Sequence, residues 1–125
     1  MQTPYQPTPT IIVVDDDAAL RTAHTFMLES DGFKVLALES AERLLQEALP
    51  QPPTCLLIDQ NLSGLTGLDA IAQLRARPLD IPVLLMTSNL RPHQRRTAER
   101  LGALIVEKPL LGDALISAIS AALAH

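Results

Sequence analysis

With 125 residues the chain has room for one hydrophobic core and so for one domain. A content of 47% hydrophobic and 19% charged residues excludes a disordered polymer, and a net charge of −4 argues against a surface built for nucleic-acid phosphates. The lone cysteine, Cys55, excludes an intramolecular disulfide, and no apolar run is long enough to span a bilayer.

Met1–Thr10 carries Pro4, Pro7 and Pro9 without a hydrophobic period, which predicts a loose, partly polyproline-like tail ahead of a domain over 11–125. These ten residues also lack the charged and apolar regions of a signal peptide, so a soluble cytoplasmic protein is expected. Ile11-Ile12-Val13-Val14 reads as a first strand and runs straight into Asp15-Asp16-Asp17. Leu20, Ala23, Met27 and Leu28 then follow at helical spacing, with Gly32 as the stop. Lys34–Leu38 is the second predicted strand. Ser40 caps a second helix whose face is Ala41, Leu44, Leu45, Ala48 and Leu49, broken by Pro50, Pro52 and Pro53.

Cys55-Leu56-Leu57-Ile58 has no polar break, as expected of a strand buried on both faces, and it ends on Asp59. Burial makes Cys55 a structural thiol. Ser63, Gly64, Thr66 and Gly67 turn the chain before a helix with Leu68, Ile71 and Leu74 on its face, ending near Pro78. Val83–Met86 is the fourth strand and stops on Thr87-Ser88-Asn89. A short helix starts around Pro92 and offers little apolar surface beyond Ala98 and Leu101. Ala103–Val106 makes a fifth strand ending on Glu107-Lys108-Pro109, and the last helix presents Leu111, Leu115, Ile116, Ile119 and Leu123. Five alternations of strand and helix with short connections call for a parallel sheet covered on both faces, a three-layer α/β domain.

In such sheets the ligand site lies beyond the carboxyl ends of the strands. Asp15-Asp16, Asp59, Thr87 and Lys108 all fall there. Three carboxylates brought together repel one another unless a cation holds them, and a hard divalent ion such as Mg²⁺ takes oxygen ligands and accompanies phosphate. With a lysine and a hydroxyl added, the setting suits a dianionic phosphoryl group, and Asp59 is then the nucleophile that forms an acyl phosphate.

IIVVDDD, LLIDQNLSGLTG, LLMTS and VEKP resemble, in order and spacing, the signature of response-regulator receiver domains, and the match spans Ile11 to Leu123. SGLTGLDAIAQLRAR is most similar to the FixJ-like group. The resemblance implies a flavodoxin-like (βα)5 fold with strand order 2-1-3-4-5. It implies that Asp59 takes a phosphoryl group from a histidine kinase or a histidine phosphotransfer protein. Asp15 and Asp16 fall on the acidic pair, with Asp16 the more direct Mg²⁺ ligand, and Asn61 would add its main-chain carbonyl. Thr87 would swing toward the phosphoryl group, Lys108 would pair with it, and the Lys108–Pro109 bond would be cis. Asn61 and Asn89 stand where the family tunes hydrolysis. Partners would include a second copy or an effector on the face of the fourth helix, fifth strand and fifth helix, without direct nucleic-acid or membrane binding.

Three positions depart from the pattern. Ser63 replaces a usual proline, which should loosen the loop after Asp59. Asp17 extends the acidic pair and is expected to cap a helix or to be solvated. Ile105 replaces the usual aromatic residue three before Lys108, which puts in doubt the coupling of Thr87 movement to the output face.

Elsewhere the plainer readings are preferred. Arg91, Arg95, Arg96 and Arg100 form a solvated face with partner docking as the lesser reading. His24, His93 and His125 are scattered surface or partly buried side chains, Met27 and Met86 belong to the core, and Asp69 and Arg75 lie on a solvated helix face. Two functions remain: a phospho-accepting switch, or a small Mg²⁺-dependent phosphatase-like enzyme using Asp59. Such enzymes carry a second acid two residues after the nucleophile, where this chain has Asn61, and the switch is favoured. It would stand alone or form the N-terminal part of a transcriptional regulator.

Overall fold

A computed structural model describes residues 7–78, 80–108 and 112–124. Five strands, β1 (Thr10–Val14), β2 (Lys34–Leu38), β3 (Thr54–Asp59), β4 (Val83–Thr87) and β5 (Ala103–Glu107), form one parallel sheet in the order β2-β1-β3-β4-β5. Five helices alternate with them: α1 (Ala18–Ser30), α2 (Ala41–Gln46), α3 (Gly67–Arg75), α4 (Pro92–Arg100) and α5 (Asp113–Leu123).

The period of two in a strand sends alternate side chains to opposite faces, and here both faces are covered. Ile12, Val14, Leu56, Ile58 and Leu85 pack with Leu44 of α2, Ile71 and Leu74 of α3 and Ala98 of α4. Ile11, Val13, Cys55, Leu57, Leu84 and Met86 pack with Leu28 of α1 and Leu115 and Ile119 of α5. Each fully buried Leu or Ile stabilises the fold by about 1.5–3 kcal/mol through water-exclusion alone, and these two layers replace the aromatic core the chain lacks.

Local capping decides where the helices begin. Asp17 Oδ1 accepts from the N–H groups of Ala19 and Leu20, and Ser40 Oγ accepts from Arg43 N–H. Thr66 and Asp69 close a reciprocal capping box on α3, so Asp69 is a capping residue as well as an exposed acid.

Some spacing-based expectations shift. On α1 the buried residues are His24 and Leu28, with Met27 partly buried, while Ala23 is exposed and Leu20 is 40% exposed. α2 stops at Gln46, and Ala48 is exposed, because Glu47 already has extended backbone and Pro50 bars helix at the residue before it. Leu111, most of the N-terminal tail and the Lys108–Pro109 bond lie outside the described residues.

Candidate functional site at the strand ends

β1 and β3 are neighbours although the chain crosses over between them, and the crevice at their carboxyl ends is where the order reverses. Asp59 is the last residue of β3 and is buried. Asp15 directly follows β1, its N–H bonded to Leu38 O at 3.1 Å, and it is fully buried. Thr87 closes β4 and Lys108 follows β5, joined by a bond from Lys108 N–H to Thr87 O at 2.9 Å. Asp16, next along, is exposed.

Four of the six carboxylate oxygens of Asp15, Asp16 and Asp59 have protein donors. Lys108 Nζ lies 2.7 Å from Asp59 Oδ2, and Asn61 N–H donates to Asp59 Oδ1 at 3.0 Å. Asp17 N–H donates to Asp15 Oδ1 at 2.9 Å. Ser63 donates both N–H and Oγ–H to Asp16 Oδ2, at 3.1 and 2.9 Å. Asp15 Oδ2 is buried without a donor. An orphaned buried acceptor costs free energy and leaves Asp15 Oδ2 able to take a partner that is not protein.

Electrostatics follow from these contacts. Burial pushes the Asp15 carboxyl above the ordinary carboxylate range; the Asp17 N–H opposes this and the nearby Asp59 charge adds to it. The two hydrogen bonds from Ser63 hold Asp16 below that range. Burial lifts the Cys55 thiol to about 12, in keeping with a structural thiol.

The donor set is all oxygen, with a bare carboxylate oxygen on Asp15, and fits a hard divalent cation in kind. Among the described residues, however, no three His, Cys, Asp or Glu side chains stand together as a ready metal site. The two bonds to Ser63 commit one Asp16 oxygen to the loop instead.

Two supports of this site escaped the sequence reading. Gln60 is buried, and its Oε1 accepts from Leu68 N–H at 2.8 Å while its backbone oxygen accepts from Leu62 and Gly67. Glu42 of α2 accepts from Leu65 N–H at 3.0 Å, tying the loop after Asp59 to the neighbouring helix. Gly64 lies in that loop at φ +85° and packs against the Glu42 carboxylate. Ser63 was expected to loosen this loop; its bonds to Asp16 tether it instead. Thr87 is buried, with its Oγ1 accepting from Asn89 N–H at 3.2 Å, beside a small pocket of about 90 Å³ that Arg95 and Glu107 also line. A hollow of about 610 Å³ between Pro9, Phe33, Pro53 and Leu123 lies at the opposite end of the sheet, away from every group named above.

The comparisons with known proteins agree with this arrangement. The model of the response regulator receiver domain matches residues 11–120. The transcriptional regulatory protein FixJ of Azorhizobium caulinodans is 35% identical over 112 residues, covering 89% of this chain and 53% of that protein. The crystal structure of FixJ-N superposes with a TM-score of 0.84 at 29% identity, covering 97% of both chains. Full-length FixJ from B. japonicum gives a TM-score of 0.82 at 32% identity, covering 92% of this chain and 57% of that one. The chain thus spans about half the length of the full regulators it matches. No helix among the described residues is long and apolar enough to cross a membrane. With the sheet order, the acids at the switch point and a family match over nearly its whole length, the chain belongs to the response-regulator receiver domains and is similar to those of the FixJ type.

Proposed function

We propose that Asp59 is the residue that accepts the phosphoryl group. The observation that carries this is the pairing of a buried carboxylate with the Lys108 ammonium at the end of the central strand. An Asp59 oxygen attacks phosphorus, the P–N bond of a phosphohistidine or the P–O bond of a small acyl phosphate breaks, and the donor leaves with the electron pair. Lys108 supplies positive charge for the incoming phosphoryl oxygens, and Thr87, one strand away, has a hydroxyl to offer them.

The residues suited to hold Mg²⁺ are Asp15, Asp16 and Asp59 with the Asn61 main-chain carbonyl, and the bare Asp15 oxygen supports this assignment. When bound, the ion would neutralise charge on the phosphoryl oxygens as the group passes to Asp59. The partner is a sensor histidine kinase or histidine phosphotransfer protein in the cytoplasm. Output runs through the α4-β5-α5 face, either to a second copy or to an effector. The receiver covers 11–125 behind a Pro-containing tail, its first strand beginning one residue earlier, at Thr10. By analogy with the FixJ relatives, named as transcriptional regulators, the chain corresponds to the receiver half of such a regulator. Nothing in the site favours a phosphatase, because Asn61 has no acidic proton to give a leaving group.

Intact-mass spectrometry after incubation with Mg²⁺ and acetyl phosphate tests the assignment. One phosphoryl adduct on the wild type and none on Asp59→Asn is expected. An adduct persisting at wild-type level on Asp59→Asn would move the acceptor elsewhere.

A further inference from the structure

We infer that Ser63 is a latch on Asp16 that competes with the divalent cation, so that metal binding at this site requires Asp16 to leave the loop. The inference rests on the reading of Asp16 as a metal ligand. Its ground is the geometry of one oxygen. Asp16 Oδ2 receives two donors from one residue, the Ser63 backbone N–H at 3.1 Å and the Ser63 hydroxyl at 2.9 Å. Hydrogen bonds to a charged acceptor are among the stronger ones, and two on one oxygen fix the direction of the whole carboxylate. Among the described residues no three acids stand together as a ligand group. Asp15 meanwhile keeps a buried oxygen without a donor.

Ser63 is itself anchored, because the next residues are held from the other side by the bond between Leu65 N–H and Glu42. Two consequences follow for this chain. Its metal-free state has one acid parked on the loop, which lowers the repulsion among three carboxylates. Its affinity for Mg²⁺ is lower than the donor set would otherwise give. A residue with neither an N–H nor a hydroxyl at this position would remove both donors at once, and proline is that residue.

The test is a Mn²⁺ titration of the intact chain, with free ion followed by electron paramagnetic resonance and Mg²⁺ used as displacer. Ser63→Pro should bind roughly three- to tenfold more tightly than wild type, given the net strength of hydrogen bonds exposed to water. Ser63→Ala, which keeps the N–H, should fall between, and Ser63→Thr, which keeps both donors, should match wild type. In an Asp16→Ala background, which offers Ser63 no acceptor and the cation no ligand, the Ser63 substitutions should no longer change affinity. Thermal melts confirm that each variant is folded, and Ser63→Ala decides the matter if the proline variant does not fold. Equal affinities in wild type, Ser63→Ala and Ser63→Pro overturn the latch while leaving the metal site standing. Weaker binding in the alanine variant overturns it too, and makes Ser63 an aid to metal binding. A gain that survives in Asp16→Ala places the effect in the loop and not in Asp16, which also overturns it. Absence of binding in every variant overturns both the latch and the metal site.

Discussion

Lys108 reaches across the end of β4 to place its ammonium nitrogen 2.7 Å from Asp59 Oδ2, joining strands that are not neighbours in the sheet. The Asp59 side chain is 5% exposed and that of Lys108 27%, so the acid is the desolvated partner and the lysine the one that keeps contact with water. Removing the lysine leaves a buried carboxylate beside Asp15 with no counter-charge. Lys108→Ala should lower stability by about 1–3 kcal/mol, less than for a fully buried pair because solvent screens the lysine. Urea denaturation at neutral pH reads this directly, and an unchanged midpoint would show that the pair contributes nothing to folding.

Asp15 carries the opposite sign. Its carboxyl titrates above the unfolded value of 3.8, chiefly because it is buried. The folded state therefore holds its proton to higher pH than the unfolded chain does. Stability from this group is complete below the unfolded value and is lost as pH rises through the folded one. In chelator-treated buffer, Asp15→Asn should raise the urea midpoint at pH 7 and leave it near the wild-type value at low pH. A midpoint that falls at pH 7 would mean that the Asp15 charge is already compensated. Asp16 runs the other way: it is held below 3.8, and its contribution is lost as pH falls through that lowered value.

Gly67 starts α3 hard against the end of β3. A Cβ there would lie 2.7 Å from the Asp59 carbonyl oxygen and 2.8 Å from Leu85 Cδ1. The leucine can turn aside, but the backbone oxygen of Asp59 cannot. Gly67→Ala should cost about 1–3 kcal/mol, typical of an overpacked core, and should also impair phosphorylation by acetyl phosphate. Normal stability in thermal melts would show that the loop yields more readily than this contact implies.

How much of this could be read beforehand depended on whether a residue acts through periodicity or through contact. Asp59, Thr87 and Lys108 sit at strand ends, and strand ends are visible as the points where apolar runs stop. Asp17 and Ser40 were legible as caps because capping is local in sequence. Ser63 and Arg75 were not, because their partners lie 47 and 26 residues away. Arg75 reads as a solvated helix residue, yet its guanidinium donates to Leu101 O and Ile81 O, both at 2.8 Å. It fastens the end of α3 to the end of α4 and to the approach to β4. His24 reads as a surface or partly buried side chain because a polar letter interrupts a hydrophobic count, yet it is buried.

The Arg75 contacts make a measurable claim. Arg75→Ala leaves two backbone carbonyls without these donors and removes the packing of the arginine stem. The loss should be about 1–3 kcal/mol, and Arg75→Lys should recover only part of it because one ammonium cannot match the fork. Full recovery by lysine would reduce the role of Arg75 to its charge, including its 3.6 Å contact with exposed Asp80.

His24 lies on the buried face of α1 with its Nδ1 unpartnered, four residues before Leu28. Burial holds its imidazole below the ordinary value of 6.5, against the pull of Asp15, so it is folded in as the neutral ring. The unfolded chain binds the proton more readily, and stability from this group is present above 6.5 and lost as pH falls through the lowered folded value. His24→Leu continues the apolar stripe of α1 and removes the orphaned nitrogen, which should stabilise the protein by about 1–2 kcal/mol at pH 7. The gain over wild type should widen as pH falls from 7 toward 5.5, since the leucine has nothing to protonate. A difference between the two proteins that stays constant over that range in urea titrations would show that His24 does not titrate on unfolding. A loss of stability at pH 7 would show that the imidazole fills a role in the core that leucine cannot.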